Sequence, residues 1–395
     1  MDCDKAVRLA LQAGGDEASG SNMGGSQVTR QFLVFADKLF APSEGFIQNA
    51  YKAFDLLKPV FVGSELRGEP PAGMEAITLA KLHGPLGEPG FKQLGLVSKK
   101  LKARLADEKP ALIHAHFGKA AAYALPLARA MGLPLVVTYH GGDATKKANT
   151  RNSLLRVYNR RRAQLWRDAA LILPVSEFIR GELAKAGCPA DKMTVHYNGA
   201  DAGRFQPGTK SKLILFAGRW VEKKGVDTLA DALTRLGPKL NGWRVRMAGD
   251  GPLKAELAGR LQTSGVNIEL PGWIPAASMP RHFAEAMIHC VPSRRAATGD
   301  AEGLPMVCIE AMLSGCAVAA TRHAGIPECV KDGATGLLSP EGAAEALAAS
   351  LERLTADPEA TLAMGAAGRE VALRDFNLET QSRRLQDLLL GVAKS

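Results

Sequence analysis

Four charged residues in the second half of the sequence are of types that bind a phosphate ester and its sugar. Arg219 and Lys224 stand in Gly218-Arg219-Trp-Val-Glu-Lys-Lys224-Gly225, directly after the apolar run 212–217 (KLILFA). Two cations in one strand–helix loop suit a diphosphate, whose charge grows as its bond to a sugar carbon breaks. Glu302 and Glu310 flank Gly303-Leu304-Pro305-Met306-Val307-Cys-Ile. Pro305 fits the first turn of a helix, which puts Glu302 in the preceding loop and Glu310 inside the helix. The amides of Leu304, Met306 and Val307 would then lack helical acceptors and could hold phosphate and sugar oxygens. Glu310 could accept bonds from both hydroxyls of a ribose, and Glu302 from a hydroxyl of a donor sugar. A third loop, 321–328 (TRHAGIPE), carries Gly325 and Pro327 and could bring backbone close to a ligand.

Such residues need a scaffold that gathers strand ends and helix starts, which is what open α/β sheets do. The pattern predicts strands over 31–36, 111–116, 133–139 and 171–175, the last followed by a helix that Ser176 could cap. A second series follows at 212–217, 243–247, 266–270, 288–291, 317–320 and 336–338. This alternation predicts two doubly wound, Rossmann-like parallel-sheet domains, over 30–200 and 212–376. The polar, Pro/Gly-bearing stretch 201–211 reads as the linker and hinge between them. A last helix near 378–390, within 377–395, follows no strand, and composition does not say where it docks. Residues 1–29, rich in Gly and Ser over 12–29, read as a disordered leader.

Composition bounds the class. The chain has 395 residues, 46% of them hydrophobic and 23% charged, enough for two or three globular domains. No apolar run approaches the roughly 20 residues that cross a bilayer. Asp2, Asp4, Asp16 and Glu17 interrupt any signal-peptide core, so a cytoplasmic location is expected. Cys3, Cys188, Cys290, Cys308, Cys316 and Cys329 form no CxxC pair and read as reduced, mostly buried thiols. The net charge of +10 belongs to the first half: residues 1–200 hold 27 basic and 18 acidic residues, residues 201–395 hold 23 and 22. Within 146–167 there are eight basic residues and no acid, interleaved with Leu154, Leu155, Tyr158, Leu165 and Trp166. That segment reads as a basic amphipathic helix suited to an anionic membrane surface, or as a solvated helix whose apolar side faces inward.

The string 291–338 (VPSRRAATGDAEGLPMVCIEAMLSGCAVAATRHAGIPECVKDGATGLL) resembles the signature of retaining glycosyltransferases of family four. The likeness continues through AGRWVEKKGVDTL, MAGDGPL, ELPGWIP and YNGADAGRF. In the first half Ser43-Glu44-Gly45-Phe-Ile, His114-Ala-His116-Phe-Gly118 and His140-Gly-Gly-Asp143 resemble the exopolysaccharide and colanic-acid branch of that family. The resemblance covers about 31–390. It implies the GT-B fold, a nucleotide-sugar donor (UDP first, GDP second), no metal cofactor, and a glycan or lipid-linked acceptor. It implies that Arg219 and Lys224 neutralise the diphosphate, that Glu310 binds the ribose and that Glu302 binds the transferred sugar. Trp273 and Ile274, after Gly272, would lie against the base. Ser43, Glu44, His116, Gly118, His140 and Asp143 would form the acceptor side, with His140 near the reacting centre. The last helix would cross back onto the first domain. The sequence departs from the pattern at Arg294 and Arg295, where small residues are usual and which could add phosphate contacts or alter sugar choice. It departs also at Gly45, where Thr is usual, and at Ala200, where Val is usual.

Other chemistries have weaker support. His114 and His116 share a strand face, and His140 with Asp143 could complete a metal site, but nothing else calls for one. Asp300-Ala-Glu302 mimics a motif that holds a divalent cation on a diphosphate, which the Arg/Lys pair makes redundant. A glycoside hydrolase needs two carboxylates but neither of those cations. A sugar-nucleotide epimerase or hydrolase on the same two-domain scaffold is the nearest alternative. Nucleic-acid binding has only the net charge in its favour, with no RNA-module motif and 6% aromatics.

Overall fold

The computed structural model describes residues 30–146 and 153–394. The leader expected over 1–29 and the basic residues Lys147 and Arg151 lie outside the described residues.

Two six-stranded parallel sheets carry the described chain. In the first, β1 (Arg30–Phe35), β2 (Leu57–Gly63), β3 (Glu75–Thr78), β4 (Ile113–His116), β5 (Leu135–Tyr139) and β6 (Leu171–Pro174) lie in the order β3-β2-β1-β4-β5-β6. The second consists of β7 (Ser211–Ala217), β8 (Arg244–Ala248), β9 (Asn267–Gly272), β10 (Ala286–Val291), β11 (Ala317–Thr321) and β12 (Gly336–Ser339). Its order, β9-β8-β7-β10-β11-β12, repeats that of the first. In this doubly wound arrangement the strand order reverses beside the first strand of each sheet, and a crevice opens at the carboxyl ends there.

The continuous apolar runs follow from burial on both faces. Leu33 and Phe35 of β1 pack on one side with Tyr123 of α1 (Gly118–Met131), whereas Phe32 and Val34 pack on the other. Strands β2 and β3 go beyond those the pattern predicts. Pro59 interrupts β2, and it is tolerated where β3 has not yet joined: β2 pairs with β3 only from Val60 onward. β3 is a four-residue edge strand with a single buried position, Ile77.

Helix α2 (Ser153–Asp168) turns part of its apolar set inward. Val157, Tyr158, Leu165 and Trp166 are all buried, and Arg161 donates to the carbonyls of Lys92, Gln93 and Ala122. These four apolar residues therefore belong to the core and are not free to enter a membrane. The five described cysteines are free and buried.

Three further helices position the site: α3 (Val226–Leu236), α4 (Met306–Leu313) and α5 (Leu378–Lys394). The chain passes between the sheets twice, side by side. Ala200 N donates to Phe376 O, and Leu378 N to Ala200 O, each at 2.9 Å. α5 then packs against the first sheet, where Leu385 and Leu389 join Phe32 and Val34. Burying each leucine contributes about 1.5–3 kcal/mol. Gln386 Oε1 accepts from the amides of Asp55, Leu56 and Leu57 at 2.9, 2.9 and 3.2 Å.

Candidate active site

Two adjoining cavities of about 380 and 570 Å³ lie where the strand ends of the two sheets face each other, and both are lined by Ser43, Val307 and Glu310. The larger adds Gly218, Arg219, Asp250, Trp273 and Ile274. The smaller adds His140, Lys224, Glu302, Gly303, Leu304 and Met306. The donor-side residues expected from the sequence are thus brought together.

The β7–α3 loop explains the two cations. It closes in a tight turn at Gly225, whose φ of 61° and whose approach to Pro292 leave no room for a side chain: an added Cβ would lie 1.8 Å from Pro292 O. That turn points Lys224 back over the sheet. Lys224 Nζ lies 3.1 Å from Glu302 Oε1, with Lys223 Nζ at 3.7 Å. Arg219 is exposed and makes no ion pair among the described residues, so its charge is available to a ligand.

The two glutamates have opposite electrostatics. Burial pushes the Glu302 carboxyl up, but the ammonium groups of Lys224 and Lys223 outweigh it and hold the group below the usual carboxylate range. The Glu310 carboxyl group accepts no hydrogen bond among the described residues, and burial pushes it up to about 7 against the weaker pull of Arg204 and Lys224. Helix α4 starts at Met306, with Pro305 as its extended N-cap at φ −66° and ψ 116°. Pro305 therefore precedes the first turn that the sequence reading assigned it. The amides of Leu304, Met306 and Val307 meet no acceptor among the described residues; all three residues line the smaller cavity, and Val307 lines the larger as well.

The acceptor side needs correction. Ser43 and His140 line the cavities, whereas Glu44, His116, Gly118 and Asp143 do not. Glu44 turns toward Lys38, Leu39 and Phe61. Asp143 serves the backbone: its carboxylate accepts from Gly118 N at 3.0 Å, His140 N at 3.1 Å and Gly141 N at 2.9 Å. Gly118 is confined by Tyr139 and Tyr158, which an added Cβ would meet at 2.5 and 2.8 Å. His116 is buried behind His140 and bonds to it. His114, His116, His140 and Asp143, the set weighed for a metal, are engaged with Thr138, Tyr51, one another and backbone amides.

Several residues expected to touch a ligand instead make contacts within the protein, most of them between the two halves. Arg294 pairs with Asp227. Arg295 reaches Glu182 at 3.0 Å and lies over the Phe178 ring, away from both cavities. The 321–328 loop places Glu328 on the amides of Glu177 and Phe178, at 2.8 and 3.0 Å, and Gly325 N on Gly303 O at 2.9 Å. Ser176 caps its helix through Ile179 N and also donates to Gly303 O. Asp300 bridges Lys146 of the first half and Lys223 of the second. These contacts hold the two sheets' loops face to face.

Arg204 and Asp250 go beyond the sequence reading as cavity residues. Their only signal was membership of YNGADAGRF and MAGDGPL. Arg204 falls in the segment read as a linker, and its guanidinium donates to Ala276 O.

Comparisons with known proteins agree with this geometry. The family described as "Glycosyl transferases group 1" matches residues 201–371, and "Glycosyltransferase Family 4" matches residues 59–204. WcaL of Salmonella typhimurium, named for colanic acid biosynthesis, is 33% identical over 287 residues, which is 70% of this chain and 69% of that protein. A mannosyltransferase of Mycolicibacterium smegmatis, named as GDP-mannose-dependent and acting on phosphatidylinositol monomannoside, is 32% identical over 70% of this chain and 75% of its own. Anabaena HepE, crystallised with UDP, superposes with a TM-score of 0.71 at 20% identity, covering 92% of this chain and all of its own. No helix among the described residues is long and apolar enough to cross a membrane. With both sheets matched by a family, and relatives above 30% identity over more than two thirds of their length, the chain belongs to the group 1 and family 4 glycosyltransferases and has the GT-B fold.

Proposed function

We propose that the protein is a retaining, metal-independent hexosyltransferase. It moves a hexose-type sugar from a nucleotide diphosphate sugar to a glycan or lipid-linked glycan acceptor in surface polysaccharide synthesis. The observation that carries this is the shared wall of the two cavities: Glu310 and the start of α4 stand between Arg219 and Trp273 on one side and Lys224, Glu302 and His140 on the other. The nucleoside would lie along Trp273, Ile274 and Glu310. Arg219, Lys224 and the amides of Leu304, Met306 and Val307 would meet the diphosphate, and Glu302 and His140 the sugar. Ser43 lines both cavities from the first half, and in this reading it would meet the acceptor.

Transfer is front-face in this reading. The acceptor hydroxyl attacks from the side on which the nucleotide departs, and the departing phosphate takes the hydroxyl proton. The chain supplies positioning and fixed charge, with no protein nucleophile. UDP is the first nucleotide to test, since HepE is named with UDP, and GDP the second, since the mycobacterial relative is named for GDP-mannose. Calorimetry of the purified protein with UDP, GDP and ADP and their hexose conjugates should find one that binds. Absence of heat with all of them would end this reading.

Peripheral docking on anionic membrane is part of the same proposal. Val157, Tyr158, Leu165 and Trp166 of α2 are buried, but Leu94 and Leu96 are 71% and 60% exposed. Exposed Lys99 and Lys100 follow in the chain, and Arg160 donates to the carbonyl of Gln93 beside Leu94. Two projecting leucines among cations fit an anionic bilayer surface. Liposome co-sedimentation should rise with anionic lipid content and fall in Leu94→Ser/Leu96→Ser; binding indifferent to both would remove the membrane from the proposal.

A further inference from the structure

Behind His140 runs an unbroken line of buried side chains that the reaction described above does not use. Thr138 Oγ1 lies 2.8 Å from His114 Nε2, and His114 Nδ1 lies 2.9 Å from the Tyr51 hydroxyl. The same hydroxyl bonds His116 Nε2, and His116 Nδ1 lies 2.9 Å from His140 Nε2. Tyr51, His114, His116 and Thr138 are each no more than 3% exposed. The register of the sheet builds the line: His114 and His116 share one face of β4, and Thr138 is paired beside them on β5. Tyr51 reaches in from the turn after the 45–49 helix. Burial pushes all three imidazoles below the usual histidine range, His140 to about 3, so each is neutral and carries one N–H.

Neutral groups allow only two arrangements. The Tyr51 hydroxyl has one hydrogen and so must donate to one histidine and accept from the other. If it donates to His114, every link runs toward Thr138: His140 carries its hydrogen on Nε2, and the Thr138 hydroxyl hydrogen is left over. If it donates to His116, every link runs toward His140, and the hydrogen left over is on His140 Nδ1. The two ends are not equivalent. Thr138 Oγ1 has no other hydrogen-bond partner among the described residues and is buried, so its unused hydrogen would be an orphaned donor. His140 Nδ1 is likewise buried without a partner among the described residues, as an acceptor in the first arrangement and as a donor in the second, but His140 itself is half-buried and lines the smaller cavity, where a bound ligand can supply an acceptor.

We infer that Thr138, His114, Tyr51 and His116 form a one-way hydrogen-bond chain that fixes His140 as an Nδ1–H donor toward an oxygen of the bound ligand, and not as a base. Its use in catalysis rests on the glycosyl-transfer reading; the tautomer itself does not. The four residues are positioning residues. In front-face transfer a donor here steadies a sugar or phosphate oxygen, and proton acceptance is left to the departing phosphate.

Histidine-labelled protein at pH 7.5, read by long-range proton–nitrogen NMR with His140→Gln for assignment, tests the chain. The wild type and Thr138→Ser should show His140 protonated on Nδ1. Thr138→Val, nearly equal in shape but without the hydroxyl, should show a mixture of tautomers, and kcat should fall about tenfold with the donor KM unchanged. Tyr51→Phe, which cuts the line at its middle, should do the same. An Nε2–H tautomer in the wild type overturns the inference. So does a Thr138→Val protein that matches Thr138→Ser in both tautomer and kcat. Failure of the glycosyl-transfer reading would look different: no turnover in the wild type with any donor, whatever the tautomer.

Discussion

Lys224 Nζ stands 3.1 Å from Glu302 Oε1, a pair assembled from the loops that follow the neighbouring strands β7 and β10. The cation proposed to meet the diphosphate therefore already neutralises the carboxylate proposed to meet the sugar. Binding of an anionic donor at this point is an exchange of partners, and it leaves Glu302 free to accept from a hydroxyl.

This separates the two cations by experiment. Arg219→Ala and Lys224→Ala should each cost about 2.7–4 kcal/mol in kcat/KM, by analogy with the loss of one fixed transition-state donor. Only Lys224→Ala should also lower Tm, because it leaves Glu302 buried with one fewer counter-charge, whereas Arg219 is exposed and unpaired among the described residues. Unchanged turnover in both variants would remove the phosphate role from this loop.

Glu310 predicts a pH dependence with a definite sign. Its carboxyl titrates near 7 in the folded protein, and only the carboxylate can accept from two ribose hydroxyls. Nucleotide affinity should therefore weaken as pH falls below about 7, and Glu310→Gln should bind weakly with no such slope. The same group opposes folding at high pH. Its folded pKa is raised, so native protein holds the proton more tightly than unfolded chain, and stability declines as pH rises from the unfolded value through 7. Glu310→Gln should thus gain about 3 kcal/mol of stability at pH 8 and almost none at pH 4. A calorimetric Kd that stays flat from pH 6 to 8 would contradict the assignment.

Gly303 predicts a dependence on close approach between the halves. A Cβ added there would lie 2.1 Å from His140 O and 2.8 Å from Val175 Cγ2. Gly303→Ala should displace the His140 loop and lower kcat/KM by on the order of 10². Nucleoside diphosphate affinity should hold within about tenfold, since Trp273, Arg219 and Glu310 all belong to the second half. Wild-type kinetics in this variant would show that the closed contact does not matter to chemistry.

Trp273 is 67% exposed and lines the larger cavity, where its ring is open to stacking by a flat ligand. Trp273→Ala should weaken nucleoside diphosphate binding by about 1–3 kcal/mol, the range for loss of one base–aromatic stack, with Tm unaltered. Equal calorimetric affinity before and after substitution would move the base elsewhere.

Part of the site was legible because its logic is local. Arg219 and Lys224 share one loop, and Glu302 and Glu310 bracket one helix start, so chain spacing alone brings each pair within reach of one ligand. His116, Gly118 and Asp143 were legible as motif members but not in role. Asp143 faced a choice between the cleft and three unpaired amides, and the amides of Gly118, His140 and Gly141 took it. Arg294 and Arg295 were likewise claimed by Asp227 and Glu182, partners distant in sequence.

What the sequence determined by itself is the alternation of apolar strands with helices, the two loops that carry the donor-side charges, and the family to which they belong. These depend on neighbours within about thirty residues, the scale of one strand–helix–strand unit. Only the tertiary structure decided that Arg204 and Asp250 face the cavities and that α5 returns to the first sheet. It alone placed Tyr51 between two histidines more than sixty positions away. Such juxtapositions arise when two sheets of like order meet face to face, and no spacing along the chain encodes which side chains then touch.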